Sequence, residues 1–154
     1  MAEALDISLT ELAGMAKPRV DLTGDWWTAW QTIHNGRETV TAQQVRLRQQ
    51  GRHIDVASTT GGTEETGFHW RGELRMWDYE FLIGWYSHDD GADRSRGTLF
   101  FMLRSHTDRL DGRWISHDRA GRIVTGRIAM AHTEDDAHAT IAKQDDAPAD
   151  PVHG

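Results

Sequence analysis

The chain has 154 residues, with 17 Lys plus Arg against 24 Asp plus Glu and no cysteine. Disulfides, thiolate metal sites and cysteine nucleophiles are therefore excluded, and the length suits one core rather than two. A net charge of −7 argues against nucleic-acid binding, which needs a basic face to displace counterions, and the absence of any run of about eighteen apolar residues leaves nothing to span a membrane.

Residues 1–18 read as a short helical segment. Ala4, Leu5, Leu9, Leu12 and Ala13 share a stripe at helical spacing, Ser8 and Glu11 form a capping box, and Pro18 blocks extension. Met1-Ala2-Glu3-Ala4 carries acid and lacks a basic n-region, so no signal peptide is expected and the cytoplasm is the default compartment.

From residue 21 the apolar period changes from 3.6 to 2, and eight strand-like runs follow over 21–133. They are predicted at about 22–33, 38–49, 53–59, 67–76, 80–87, 97–105, 109–116 and 122–132. Asn35-Gly36 is a strong hairpin signal between the first two. A longer polar loop is expected from Asp89 to Ser95. Residues 134–154 are rich in Ala, Asp and Pro and lack periodicity, which predicts a disordered acidic tail.

An apolar-x-Gly-x-apolar unit recurs at Leu22–Trp26, Trp70–Leu74, Leu82–Tyr86, Leu110–Trp114 and Val124–Ile128. Glycine weakens a strand interior, so its repetition there points to bends or bulges. Eight consecutive strands with short hairpins avoid open edges by closing on themselves. The predicted fold is all-β: an eight-stranded antiparallel up-and-down barrel with a short N-terminal helix. A barrel of eight strands is either filled by its side chains or holds one small ligand.

Leu22-Thr23-Gly24-Asp25-Trp26 resembles the Gly-x-Trp signature that opens lipocalin-like (calycin) barrels. That resemblance covers roughly 22–132 and implies a binding barrel without naming a ligand. Arg96–Phe100 followed by Leu110–Trp114 is also similar to calycin-like receptors of bacterial cyclic-oligonucleotide defence systems, although the membrane helices of those proteins are absent. Residues 2–14 resemble the closing helices of phage-repressor-type helix-turn-helix domains, without a recognition helix. This resemblance implies the effector half of a bacterial transcriptional regulator, or a descendant of one that lost DNA binding.

Seven tryptophans both staple a core and supply cavity walls. Alternation and strand position nominate Trp26, Trp30, Trp70, Tyr86, His88, Met102, Arg104 and Trp114 as ligand-binding residues. Gln43, Gln49 and Ser116 are further polar groups on largely apolar strands. Ser87 and His88 face opposite ways, so the local Tyr86–Asp90 run makes no triad. Nine histidines form no H-x-H, H-E-x-x-H or H-x3-H spacing, and neither metal nor cofactor is expected. The fifth and sixth strands are apolar on both faces, which predicts a cover from the N-terminal helix or from a second subunit in a homodimer. Two function classes follow: a non-catalytic small-molecule binder, or a cofactor-independent cyclase acting by substrate preorganisation. The lack of a reaction-bearing constellation favours the binder.

Overall fold

The computed structural model describes residues 20–59, 69–90, 93–104 and 108–146. The helical segment expected at 1–18 lies outside them. Eight strands run in chain order: β1 (Gly24–His34), β2 (Arg37–Gln50), β3 (His53–Ser58), β4 (Trp70–Trp77), β5 (Phe81–Asp90), β6 (Asp93–Leu103), β7 (Arg109–His117) and β8 (Ile123–Ala131). Each pairs antiparallel with the next and β8 returns to β1, so the barrel is closed. The expected up-and-down meander is the fold observed.

Asn35 and Gly36 both have positive φ, 53° and 76°. These are the values a two-residue hairpin turn needs to match strand twist. The polar loop expected from Asp89 to Ser95 is mostly strand instead, since pairing continues through Asp89↔Arg94 and Asp90↔Asp93. Backbone pairing needs no apolar side chain, so polarity misplaced that boundary.

Four of the five repeated glycines, Gly72, Gly84, Gly112 and Gly126, sit where neighbouring strands come too close for a side chain, whereas Gly24 has nothing within 4 Å and instead adopts a positive φ of 143°. A Cβ at Gly84 would lie 1.8 Å from the Glu73 carbonyl oxygen, and one at Gly112 would lie 1.6 Å from that of Phe100. The strands bend there, and the curvature closes the barrel.

Alternation decides what fills the interior. On β4 the inward residues Trp70, Gly72, Leu74 and Met76 are buried, while Arg71, Glu73, Arg75 and Trp77 are exposed. One end of the barrel is packed solid by Trp26, Leu47, Ile54, Leu74, Met76, Leu82, Phe101, Leu110 and Met130. Leu22 plugs that end. Its amide donates to Gln49 Oε1 at 2.8 Å, and Gln49 Nε2 donates back to the carbonyls of Val20 and Gly51 at 2.8 and 2.9 Å.

The disorder expected from residue 134 is corrected by a helix, α1 (Glu134–Asp146); residues 147–154 lie outside the described residues. Thr133 caps it, with its Oγ1 accepting from the Asp136 amide at 3.1 Å. Glu134, Asp135 and Asp136 in the first turn complement the helix dipole. Ala137 and Ile141, one turn apart, pack on a flat seat of Ala29, Ala129 and Ala131 on the outside of β1 and β8. Thr133-x-x-Asp136 is the start signal that the tail's polar composition obscured.

The helix thus covers β8 and β1, not the hairpin that was expected to need cover. The outer face of β5 and β6 carries Ile83 (45% exposed), Trp85 (39%) and Phe100 (37%). Phe81 and Phe100 stack there at 5.4 Å. Among the described residues nothing lies over them.

Candidate functional site

The opposite end of the barrel, where the β1–β2, β5–β6 and β7–β8 hairpins turn, is hollow. A cavity of about 200 Å³ is lined by Trp30, Thr32, Trp70, Tyr86, Ser95, Leu99, Trp114 and Ile128. These come from β1, β4, β5, β6, β7 and β8. None is Asp, Glu, Lys, Arg or His.

Register explains why large rings fit. Tyr86 sits opposite Gly97 on β6 and Gly72 on β4. A Cβ at Gly97 would meet the Tyr86 ring at 2.6 Å, so the ring lies over the bare backbone of its neighbour. Trp114 sits opposite Gly126 on β8 in the same way, and its indole is 2.5 Å from where that Cβ would be. Glycine on one strand seats an aromatic on the next.

Two of the indole N–H groups, those of Trp70 and Trp114, are committed to the wall. Trp70 Nε1 donates to Gln43 Oε1 at 2.9 Å, and Trp114 Nε1 donates to the Gln31 carbonyl at 2.8 Å. What Trp70 and Trp114 leave to an occupant is π surface and C–H edge. Trp70 and Tyr86 meet at 81° with centroids 6.4 Å apart. Burial pushes the Tyr86 phenol above its ordinary pKa, against the opposing pull of hydrogen bonds with Ser116 and Ser95. The phenol is therefore neutral at physiological pH and acts as a hydrogen-bonding group at the cavity side.

Of the eight nominated residues, the structure brings Trp30, Trp70, Tyr86 and Trp114 together around the cavity. His88 is buried on the Tyr86 side of β5, pairs in register with Trp70, and its Nδ1 meets the His69 carbonyl oxygen at 2.5 Å. It is not in the lining. Trp26 belongs to the packed half, 2% exposed, with its Nε1 donating to the Leu22 carbonyl at 2.8 Å. It plugs the barrel rather than lining a pocket.

Met102 and Arg104 face outward. Phe101 and Leu103 flank Met102 and point in, so period 2 turns Met102 out toward the Phe81–Phe100 face. Arg104 is exposed and forms a two-pronged ion pair with Asp111, 2.6 Å at each oxygen. A strand apolar on both faces does not announce its inner one.

Thr32, Ser95, Leu99 and Ile128 are lining residues that the sequence did not nominate. The shared face of Thr28, Trp30 and Thr32 on β1 was a legible signal for the first. Ser95 belongs to β6, in the Asp89–Ser95 stretch whose polarity predicts a loop.

On the outer face, the cross-strand neighbours His53, Asp55 and Glu73 hold ligand atoms within 4.8 Å of one another, all exposed. Arg48 and Arg75 stand opposite Asp55 and His53 in the ladder. Nothing beyond this clustering points to an ion.

No protein-family model matches the sequence, and no curated protein matches it. Among solved structures, the chain is similar to a redesigned β-barrel, with 14% identity, a TM-score of 0.49, and coverage of 73% of this chain and 91% of that one. It is similar at the same identity and TM-score to a second redesigned barrel, mFAP1 bound to DFHBI, covering 73% and 94% of the two chains. A tryptophan-to-alanine mutant of transferrin binding protein B from Haemophilus parasuis Hp5 follows at 10% identity and TM-score 0.46, with 73% of this chain covering 26% of that one.

Proposed function

We propose that the protein is a non-catalytic small-molecule binder of lipocalin-like (calycin) type, holding a compact, mainly apolar ligand at the hollow end of its barrel. The observation that carries this reading is the division of the interior. One half is packed solid, while the other keeps a cavity of about 200 Å³ walled by three tryptophans and a tyrosine. Leaving such a void in a core is costly, so a hollow aromatic half is more simply read as a binding chamber than as a packing accident.

The lining favours binding over the cyclase alternative. Tyr86 is the only titratable group among the lining residues, and burial keeps its phenol neutral. That supplies shape and one hydrogen-bonding group, without the tuned acid–base pair of general catalysis. The resemblance of residues 2–14 to the end of a helix-turn-helix domain fits a ligand-sensing role in a bacterial regulator. For partners, the reading adds a second copy of the chain over the outer apolar face of β5 and β6. A light-scattering mass of 17.4 kDa at every concentration would remove that copy.

No described helix is long and apolar enough to cross a membrane. The test of the binding reading is a ligand screen read by tryptophan emission and native mass spectrometry. A ligand in the chamber shifts the emission of Trp30, Trp70 and Trp114, and Trp114→Leu abolishes its binding. Binding untouched by Trp114→Leu and by Tyr86→Phe would refute the chamber as the site.

A further inference from the structure

We propose that the chamber is an aromatic cage for a methylated ammonium cation, a quaternary ammonium head on a ligand that bears no anionic group beside it. The inference rests on the binding reading above and names the ligand chemistry of the same site.

The walls are aromatic from several directions. Trp30, Trp70, Tyr86 and Trp114 reach the cavity from four different strands. The Trp70 and Tyr86 planes stand at 81°. Two parallel faces make a slot for a flat ring. Trp70 and Tyr86 meet edge to face and make no such slot, and aromatic walls arriving from four strands suit a roughly spherical tetrahedral cation better than a flat ring. The negative face of each ring attracts such a cation, tryptophan most strongly, and the attraction grows when water is excluded.

The donor inventory points the same way. With the N–H groups of Trp70 and Trp114 bonded to Gln43 and Gln31, those rings ask no hydrogen bond of the ligand. A quaternary ammonium has none to give. A primary ammonium brings three N–H donors and needs a carboxylate or several carbonyls to receive them. The lining holds no carboxylate.

An anionic ligand lacks a partner here too, since no Arg, Lys or His lines the cavity. The chain's net charge of −7 favours the approach of a cation over that of an anion. The Thr32 and Ser95 side chains, with the Tyr86 phenol, offer hydroxyls to a short polar tail. Size agrees: an engineered apolar cavity of about 150 Å³ holds benzene, so about 200 Å³ holds a choline-sized ion.

The test is calorimetric titration of the full chain with five probes: choline, its uncharged carbon isostere 3,3-dimethylbutan-1-ol, phosphocholine, a peptide carrying trimethyl-lysine, and indole. Choline or the peptide is expected to bind at least about tenfold tighter than the isostere, as one well-formed cation–π contact supplies. Phosphocholine should bind more weakly than choline. Trp70→Phe should narrow the gap between choline and isostere, and a gap left as wide as in the wild type counts against the cage. Tighter binding of the peptide than of choline supports the cage and assigns its source to a protein side chain.

Equal binding of choline and its isostere overturns the cage but leaves the chamber a binding site. So does binding of indole, an uncharged aromatic, when neither choline nor the peptide binds. If none of these compounds binds, both the cage and the binding reading fall.

Discussion

Replacing Gly84 by alanine tests the close approach that closes this barrel. The added Cβ would sit 1.8 Å from the Glu73 carbonyl oxygen and 2.8 Å from both the Glu73 carbonyl carbon and Leu74 Cα. All three are backbone atoms of β4, so no side chain can swing aside. Reaching even the 3.0 Å floor that real Cβ atoms respect requires β4 and β5 to part by roughly 1.2 Å. A ladder hydrogen bond of about 2.9 Å stretched by that amount is no longer a bond. Two such bonds, at about 0.5–1.5 kcal/mol each, are lost where Leu74 faces Gly84. Overpacking adds about 1–3 kcal/mol. Gly84→Ala is therefore expected to cost about 2–6 kcal/mol, a large part of the roughly 5–15 kcal/mol that holds a domain together. In urea, with a slope of about 2 kcal/mol/M, the midpoint should fall by roughly 1–3 M. Gly36→Ala is the control: its φ is +76°, but nothing lies within 4 Å of the added Cβ. It should lose only about 1 kcal/mol, from backbone conformation. If Gly84→Ala loses no more than Gly36→Ala, the close approach is not what fixes that glycine.

Other substitutions probe the remaining devices. Arg127 is buried against α1, where its Nη1 donates to the Ile141 carbonyl at 2.8 Å, its Nε to Gln31 Oε1 at 3.1 Å, and its Nη2 to Glu38. Arg127→Met should cost about 2–3 kcal/mol, lower the melting temperature by roughly 5–10 °C and speed amide exchange along α1. Unaltered protection of the helix would show that the arginine does not hold it. Trp70→Phe keeps a ring but removes the donor to buried Gln43, at a cost of about 1–3 kcal/mol; an unchanged urea midpoint contradicts the role given to that bond. Asp118 accepts from the Arg122 and Ala120 amides in the β7–β8 turn, and these bonds, with the Arg122 side chain, hold its carboxyl below the ordinary pKa. Its contribution is therefore present above the unfolded-state pKa and lost as pH falls through the folded one. The stability gap between wild type and Asp118→Asn should close in acid; a gap that persists there rules the mechanism out.

The period-two alternation from residue 21, the Asn35-Gly36 turn and the glycines between apolar neighbours together specify a closed meander before any coordinate is seen. Each is a local rule: side-chain alternation, positive φ, and a strand position where only hydrogen fits. The same rules place Trp30, Trp70, Tyr86 and Trp114 on inner faces: Trp70, Tyr86 and Trp114 each stand two residues from a repeat glycine, and Trp30 stands two from buried Thr28 and four from buried Trp26.

Three matters were decided only in three dimensions. Sequence could not choose the inner face of β6, where both faces are apolar, so Met102 and Arg104 were nominated although they face out. It could not reveal α1 in an acidic, alanine-rich tail, because the stabilising surface for Ala137 and Ile141 is the alanine seat on β1 and β8, far away in the chain. Nor could it divide the interior, since Trp26 and Trp30 share one face of one strand. Whether a tryptophan plugs or lines depends on where along the barrel axis its strand meets the other seven, and that is a property of register and closure, not of local pattern.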